Sequence, residues 1–140
     1  MPDNPTTVLA FDFGTRSIGA AVGQTLTQTA TELSNLRAKE GIPDWAELEK
    51  LLTEWRPDIV VVGLPVNMDG SEMEMTRRAR KFGNRINGRF GYKIAFMDER
   101  LTTREAKAEA ATQGHRGNYR NNPIDAIAAR LILESWMTQN

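Results

Sequence analysis

The stretch PDIVVVGLP (residues 57–65) is short, rich in β-branched residues and bounded by prolines, with no polar side chain between Ile59 and Leu64. That is the pattern of a central strand covered on both faces. Immediately before it, PDWAELEKLLTEW (residues 43–55) sets Trp45, Leu48, Leu51, Leu52 and Trp55 at three- and four-residue steps, with Asp44 and Glu47 at capping-box spacing. This predicts an amphipathic helix that ends before Pro57. A helix leading into a buried strand implies a crossover to a parallel neighbour.

Working outward, VLAFDF (8–13) reads as a first buried strand with Asp12 inside it, Gly14 begins a turn, and SIGAAVG (17–23) is a second strand. A threonine-rich third segment follows from about Thr25 to Ser34, and the polar stretch from Arg37 to Pro43 reads as a loop. Downstream, Ser71 and Glu74 have capping-box spacing and open a helix through about Asn87, with Met75, Ala79, Phe82, Ile86 and Phe90 as its apolar stripe. YKIAFMDER (92–100) is the next strand. Thr102 with Glu105 caps a helix running to Gly114, and Asn122-Pro123 starts a last helix to about Met137. The fold class is α/β: a mixed five-stranded sheet, with three antiparallel strands and then parallel crossovers, flanked by helices. Residues 1–140 suit a single domain with 1–6 as a flexible tail.

The chain has 18 basic and 18 acidic residues and no cysteine. Global charge therefore does not point to nucleic acid, and neither disulfides nor thiolate metal sites are available. No apolar run is long enough to span a bilayer and no leader pattern begins the chain, so a cytoplasmic protein without membrane contact is expected. Charge is nevertheless concentrated locally. Between Arg77 and Arg104 stand nine basic residues and two acidic ones, a net of +7. Arg78, Lys81, Arg85 and Arg89 share one helical face, a reasonable footprint for a polyanion, although such a face is more often simply solvated.

Carboxylates fall where strands end or helices begin: Asp12, the pair Asp98-Glu99, and Asp125. Asp12 could be a structural acid paired with Arg16 or Arg100, and Asp125 could be an ordinary capping residue of Asn122. If the strands carrying Asp12 and Glu99 are neighbours, however, the acids converge at the carboxyl edge of the sheet. Clustered carboxylates without thiolates favour a hard divalent cation, Mg²⁺ or Mn²⁺, and a pair of ions suits phosphodiester hydrolysis.

DFGTRSIG (12–19), VVGLPVNMDG (61–70), MDERLTTREA (97–106) and PIDAIAARLILES (123–135) resemble, in order and spacing, the YqgF or RuvX family of pre-16S rRNA nucleases within the RNase H-like superfamily. The resemblance implies an RNase H-like fold and metal-assisted hydrolysis, with two divalent ions held by Asp12, Glu99 and Asp125. Asp98 competes with Glu99. Adjacent strand residues face opposite ways, so only one of the two can reach the site, and Glu99 is favoured. Arg16, Asn67, Arg100 and Arg120 would line the phosphate path, with Arg77, Arg78, Lys81 and Arg85 as further nucleic-acid contacts. Arg120 stands where the family commonly has lysine, which alters the contact geometry.

The substrate expected first is the 5′ end of precursor 16S rRNA, with a ribosomal particle as a possible partner. The alternatives are a four-way DNA junction and a non-catalytic RNA-binding assembly factor. A monomer or weak homodimer is expected. DFGTRSIGAAV also resembles the phosphate motif of sugar kinases and actin-like ATPases, but those clamp nucleotide between two domains and this chain supplies one.

Overall fold

The structure is a computed structural model that describes residues 6–101 and 124–139. The expected helix from Thr102 to Gly114, Arg120 and the Asn122 cap lie outside the described residues, as do residues 1–5 of the expected tail. The described strands are β1 (Thr7–Asp12), β2 (Ser17–Gln24), β3 (Thr29–Lys39), β4 (Ile42–Pro43), β5 (Ile59–Leu64) and β6 (Ile94–Asp98). They form a mixed sheet in the order β4-β3-β2-β1-β5-β6. β1 to β4 pair antiparallel, and β5 and β6 join parallel to β1 and to each other.

The sheet thus has six strands, not five. The stretch from Arg37 to Pro43 is no loop: β3 continues to Lys39, turns at Glu40 and Gly41 with φ of 51° and 82°, and returns as β4. Two consecutive left-handed residues are what a tight hairpin turn of this hand requires. The third strand starts later than expected, because Thr25–Gln28 form the preceding turn, with Gln28 left-handed at φ 55°. A bulge explains why β3 was hard to read. Ile18 pairs with Leu36 but Ala20 with Leu33, so an extra residue in β3 puts both leucines, three apart, into the same core. Alternation is broken where the sequence pattern would have shown it.

Two helices cover one face: α1 (Trp45–Trp55) and α2 (Glu74–Phe90). Asp44 caps α1 as its spacing predicts, accepting from the amides of Ala46 (3.0 Å) and Glu47 (3.3 Å), and left-handed Arg56 with Pro57 ends it. The N-cap of α2 is Met73, not Ser71, and the helix runs to Phe90, past the expected end at Asn87. The hydroxyl of Thr76 accepts from the Met73 amide at 3.1 Å and donates to the Pro65 carbonyl, which fixes the helix start to the end of β5. Ser71 is instead held in the preceding loop.

On this face Leu9 and Phe11 of β1, with Phe13 just past its end, meet Leu48, Leu52, Ala79, Phe82 and Ile86. Phe82 is the hub, with ring centroids 5.7 Å from Phe11, 5.4 Å from Phe13 and 6.5 Å from Trp45. Burial of side chains this size stabilises by roughly 1.5–3 kcal/mol each. The last helix, α3 (Ile124–Gln139), covers the other face, where Val8, Ala10, Ala21, Val61 and Met97 meet Ala129, Ile132, Leu133 and Met137.

Two glycines of α2 separate packing from propensity. A Cβ at Gly83 would stand 2.7 Å from Phe96 Cε1 and 3.2 Å from Ile94 Cγ2, whereas one at Gly88 meets nothing within 4 Å. In urea unfolding, Gly83→Ala is expected to cost about 1–3 kcal/mol through overpacking against β6. Gly88→Ala is expected to add about 0.5–1 kcal/mol through helix propensity alone. Equal effects at the two positions would contradict the close α2–β6 packing.

Candidate functional site

Side chains alternate along β1: Leu9 and Phe11 enter the core under α1 and α2, while Val8 and Ala10 enter the core under α3. Asp12 therefore belongs to the α3 face. It is the last residue of β1 rather than an interior one, and it is half-buried. The edge position lowers the desolvation cost that a mid-strand charge would carry.

The neighbours of Asp12 in the sheet are glycines on both sides. Asp12 is paired with Gly19 on β2, and the parallel register Phe11–Val62 brings Gly63 of β5 alongside it. No Cβ stands on the α3 face beside the carboxylate in either adjacent strand.

Beyond Gly63 lies β6, where Gly63 pairs with Met97. β6 ends at Asp98, and a single 3₁₀ turn, Glu99–Leu101, follows. Glu99 reaches back over Gly63: its Oε2 is 3.1 Å, and its Cγ 3.2 Å, from where a Gly63 Cβ would stand, beside Ile132 of α3. Neighbouring strands are about 5 Å apart, so the Glu99 carboxylate lies over the strand next to Asp12.

Asp98 is turned elsewhere. Its Oδ1 accepts the Arg100 amide at 2.8 Å, and its Oδ2 takes the Arg100 guanidinium at 2.6 Å. Arg100 in turn donates through Nη1 to the Met68 carbonyl at 3.0 Å, tying the end of β6 to the 66–72 loop. Asp98 holds the guanidinium of Arg100 above its usual pKa.

The third acid, Asp125, is the second residue of α3. Arg130 bonds Glu32 at 2.7 Å, which lies in the sheet row of Ala21 and Ala10, and Leu133 packs over Gly23, in the row of Val8. Advancing along α3 thus leads toward the start of β1, and the first turn, with Asp125, is directed to the carboxyl edge where Asp12 and Glu99 sit. Among the described residues no set of three His, Cys, Asp or Glu side chains forms a cation site.

The basic residues of α2 do not lie beside these acids. α2 covers the opposite face of the sheet. Arg77, Lys81, Arg85 and Arg89 are exposed along its outer side, where with Arg80, Asn84 and Gly88 they line an open depression. Several of the cations also have structural work: Arg78 donates to the Glu40 carbonyl at 2.7 Å, Arg89 stacks 4.2 Å over Trp45, and Arg80 pairs with Glu72 at 2.6 Å. Arg16 is exposed in the turn after β1. Asn67 donates to the Ser71 hydroxyl at 3.0 Å within its loop. The flanking glycines were the feature missed in the sequence; counting residues from Phe11–Val62 once β1 and β5 are paired would have found Gly63.

A family profile described as RuvX, Holliday junction resolvase, matches residues 6–139. A protein of Saccharophagus degradans named "Putative pre-16S rRNA nuclease" is 64% identical over 134 residues, covering 96% of this chain and 94% of its own. A protein of the same name from Actinobacillus succinogenes is 58% identical and covers 96% of both chains. Among solved structures, Thermus thermophilus RuvC in complex with Holliday junction substrate superposes with a TM-score of 0.60 at 15% identity, covering 96% of each chain. Fowlpox virus resolvase with Holliday junction DNA gives 0.60 at 14%, over 95% of this chain and 97% of its own. At these identities the structural likeness speaks for the fold.

The 66–72 loop carries a pH signature. Hydrogen bonds from the Ser71 hydroxyl and amide hold the Asp69 carboxyl below its ordinary 3.8, and the Arg80 guanidinium holds Glu72 below 4.5. Depressed folded values mean that these bonds are intact above the unfolded values and are lost as pH falls through the folded ones. Carboxyl NMR titration is expected to give midpoints below 3.8 and 4.5, with Ser71 amide protection constant from neutrality to about pH 5. Midpoints at or above the ordinary values would refute the loop geometry.

Proposed function

The chain belongs to the RuvX family, and from that premise we infer that it is a nuclease that matures the 5′ end of precursor 16S rRNA. It is a hydrolase acting on phosphodiester bonds. The observation that carries the reading is the placement of Glu99 over Gly63, in the strand beside Asp12, at the carboxyl edge of the sheet.

The donor chemistry fits a divalent cation. The described residues of the site, Asp12 and Glu99, offer carboxylate oxygens, no thiolate exists in the chain, and the missing Cβ at Gly63 lets Glu99 lie over the strand beside Asp12. Mg²⁺ or Mn²⁺ suits such a set. Asp12 and Glu99 would hold it, Asp125 would supply the third carboxylate, and two ions are the expected number. Bound there, the cation would neutralise the scissile phosphate and acidify the attacking water.

In this reading Asp98 is no ligand but the anchor of Arg100. Arg16 and Asn67 flank the path of the strand to be cut, with Arg120 as a further contact. The exposed cations of α2 hold phosphates farther from the cut, without reading sequence. The names of relatives 56–64% identical favour pre-16S rRNA as substrate. Our reading adds that the RNA is presented in a ribosomal particle in the cytoplasm and that the protein is a monomer or weak dimer. The family description favours a second reading, resolution of four-way DNA junctions, which calls for a two-fold dimer to make two symmetric cuts.

Cleavage of an RNA with the precursor 5′ leader, and of a four-way DNA junction, should be followed over a Mg²⁺ and Mn²⁺ titration. RNA cutting is expected to need the cation and to fall about a thousandfold in Asp12→Asn, the loss of several kcal/mol of transition-state stabilisation. Cutting of the junction alone would replace the first reading with the second. An Asp12→Asn protein that functions as well as its parent would point to a non-catalytic assembly factor. Lys81→Glu with Arg85→Glu is expected to lower the salt slope of RNA binding by roughly 1.5, two phosphate contacts' worth.

A further inference from the structure

Met68 is 91% exposed, the most exposed large apolar side chain among the described residues. A lone exposed methionine is ordinary. What distinguishes this one is its frame. Val66 and Glu72 form an antiparallel bridge, the Asn67 amide donates to the Ser71 carbonyl at 3.0 Å, and the Gly70 amide donates to the Asn67 carbonyl at 2.8 Å. Asp69 Oδ1 accepts from both the amide (2.9 Å) and the hydroxyl (2.6 Å) of Ser71. Gly70 supplies the left-handed turn at φ +90°. Arg100 grips the carbonyl of Met68 itself, and its chain neighbour is Glu99.

An exposed loop costs conformational entropy to order. Here these polar contacts order one whose tip side chain, Met68, is exposed among the described residues while its backbone is tied to the residue after Glu99. A cationic tip would suit phosphate; a thioether suits the apolar face of a base, and methionine is among the side chains that wedge against base steps. We propose that Met68 is a specificity-determining residue that stacks on a base of the RNA next to the scissile phosphate and so sets the position of the cut. This rests on the nuclease reading above. Because the contact is apolar, it adds affinity without releasing counterions, and its effect is independent of salt.

The test measures KM, kcat, the cut position and the salt slope of binding on leader RNA for the parent, Met68→Ala, Met68→Leu and Leu26→Ala. Leu26, 70% exposed in the turn between β2 and β3, is the control at the other end of the sheet. Met68→Ala is expected to raise KM about tenfold and blur the cut position, with the salt slope unchanged. Met68→Leu should restore most of the loss, and Leu26→Ala should match the parent. A parent that cuts while Met68→Ala behaves identically, or a changed salt slope, overturns the inference alone. A parent that neither binds nor cuts the RNA removes the nuclease reading and this inference with it.

Discussion

The row Gly19–Asp12–Gly63 is the constraint on which the rest of the molecule depends. A carboxylate at the end of a buried strand is tolerable only where water, a cation or hydrogen-bond donors can reach it. Asp12 stands at the end of β1 and is only half-buried, the missing Cβ at Gly63 lets the Glu99 carboxylate lie over the next strand, and the pleat directs Asp12 away from the aromatic core. The same glycine limits what can lie above it. Ile132 of α3 would be only 2.5 Å from a Cβ at Gly63, so α3 lies so close to the sheet that any side chain at that position would displace either it or Glu99.

The two faces of the sheet accordingly have different compositions. Under α1 and α2 the core is built from large rings and leucines around Phe82, which bury much area and lock the strand order. Under α3 the sheet offers mainly small residues, Val8, Ala10, Ala21 and Val61 with Met97, which let Ile132, Leu133 and Met137 of the helix approach. The Arg130–Glu32 pair, with both side chains mostly buried, fixes how α3 lies across β3. The face that supplies most of the apolar burial is therefore not the face that carries the acids, and the basic surface of α2 belongs to the former. A polyanion touching both the acids and α2 would have to pass around the carboxyl edge.

Much of this was legible in the sequence, because it follows from local rules. The uninterrupted run Ile59–Leu64, the Asp44 cap and the helical stripe through Phe82 and Ile86 each appear in the structure where the pattern put them. Strand parity said only that Asp98 and Glu99 face opposite ways; which of them turns to the α3 face follows from the pairing of Gly63 with Met97. What was not legible depends on contacts between distant segments. The bulge opposite Ile18 and Ala20 exists only in the pairing of β2 with β3, and it hid the length of β3. Ser71 and Glu74 have the spacing of a cap, but Asp69 and Asn67 claim the Ser71 hydroxyl, leaving Thr76 to serve α2. Asp125 was read as part of the last helix, and it lies within α3, while the expected Asn122-Pro123 start is outside the described residues.

The three consecutive residues Asp98, Glu99 and Arg100 show how little a motif read as a string says about division of labour. Parity sends Glu99 to the α3 face. The 3₁₀ turn then folds Arg100 back, so that its amide and guanidinium both meet Asp98. A bidentate guanidinium on a carboxylate is directional, which a lysine could not reproduce. Its remaining nitrogen is thereby aimed at the Met68 carbonyl. Asp98 thus acts on the 66–72 loop without touching it. The loop's position relative to Glu99 is fixed through one side chain, not through the backbone of β5 alone. An acid next to the site that does not itself face it is here the means by which the edge of the sheet and its neighbouring hairpin are held as one unit.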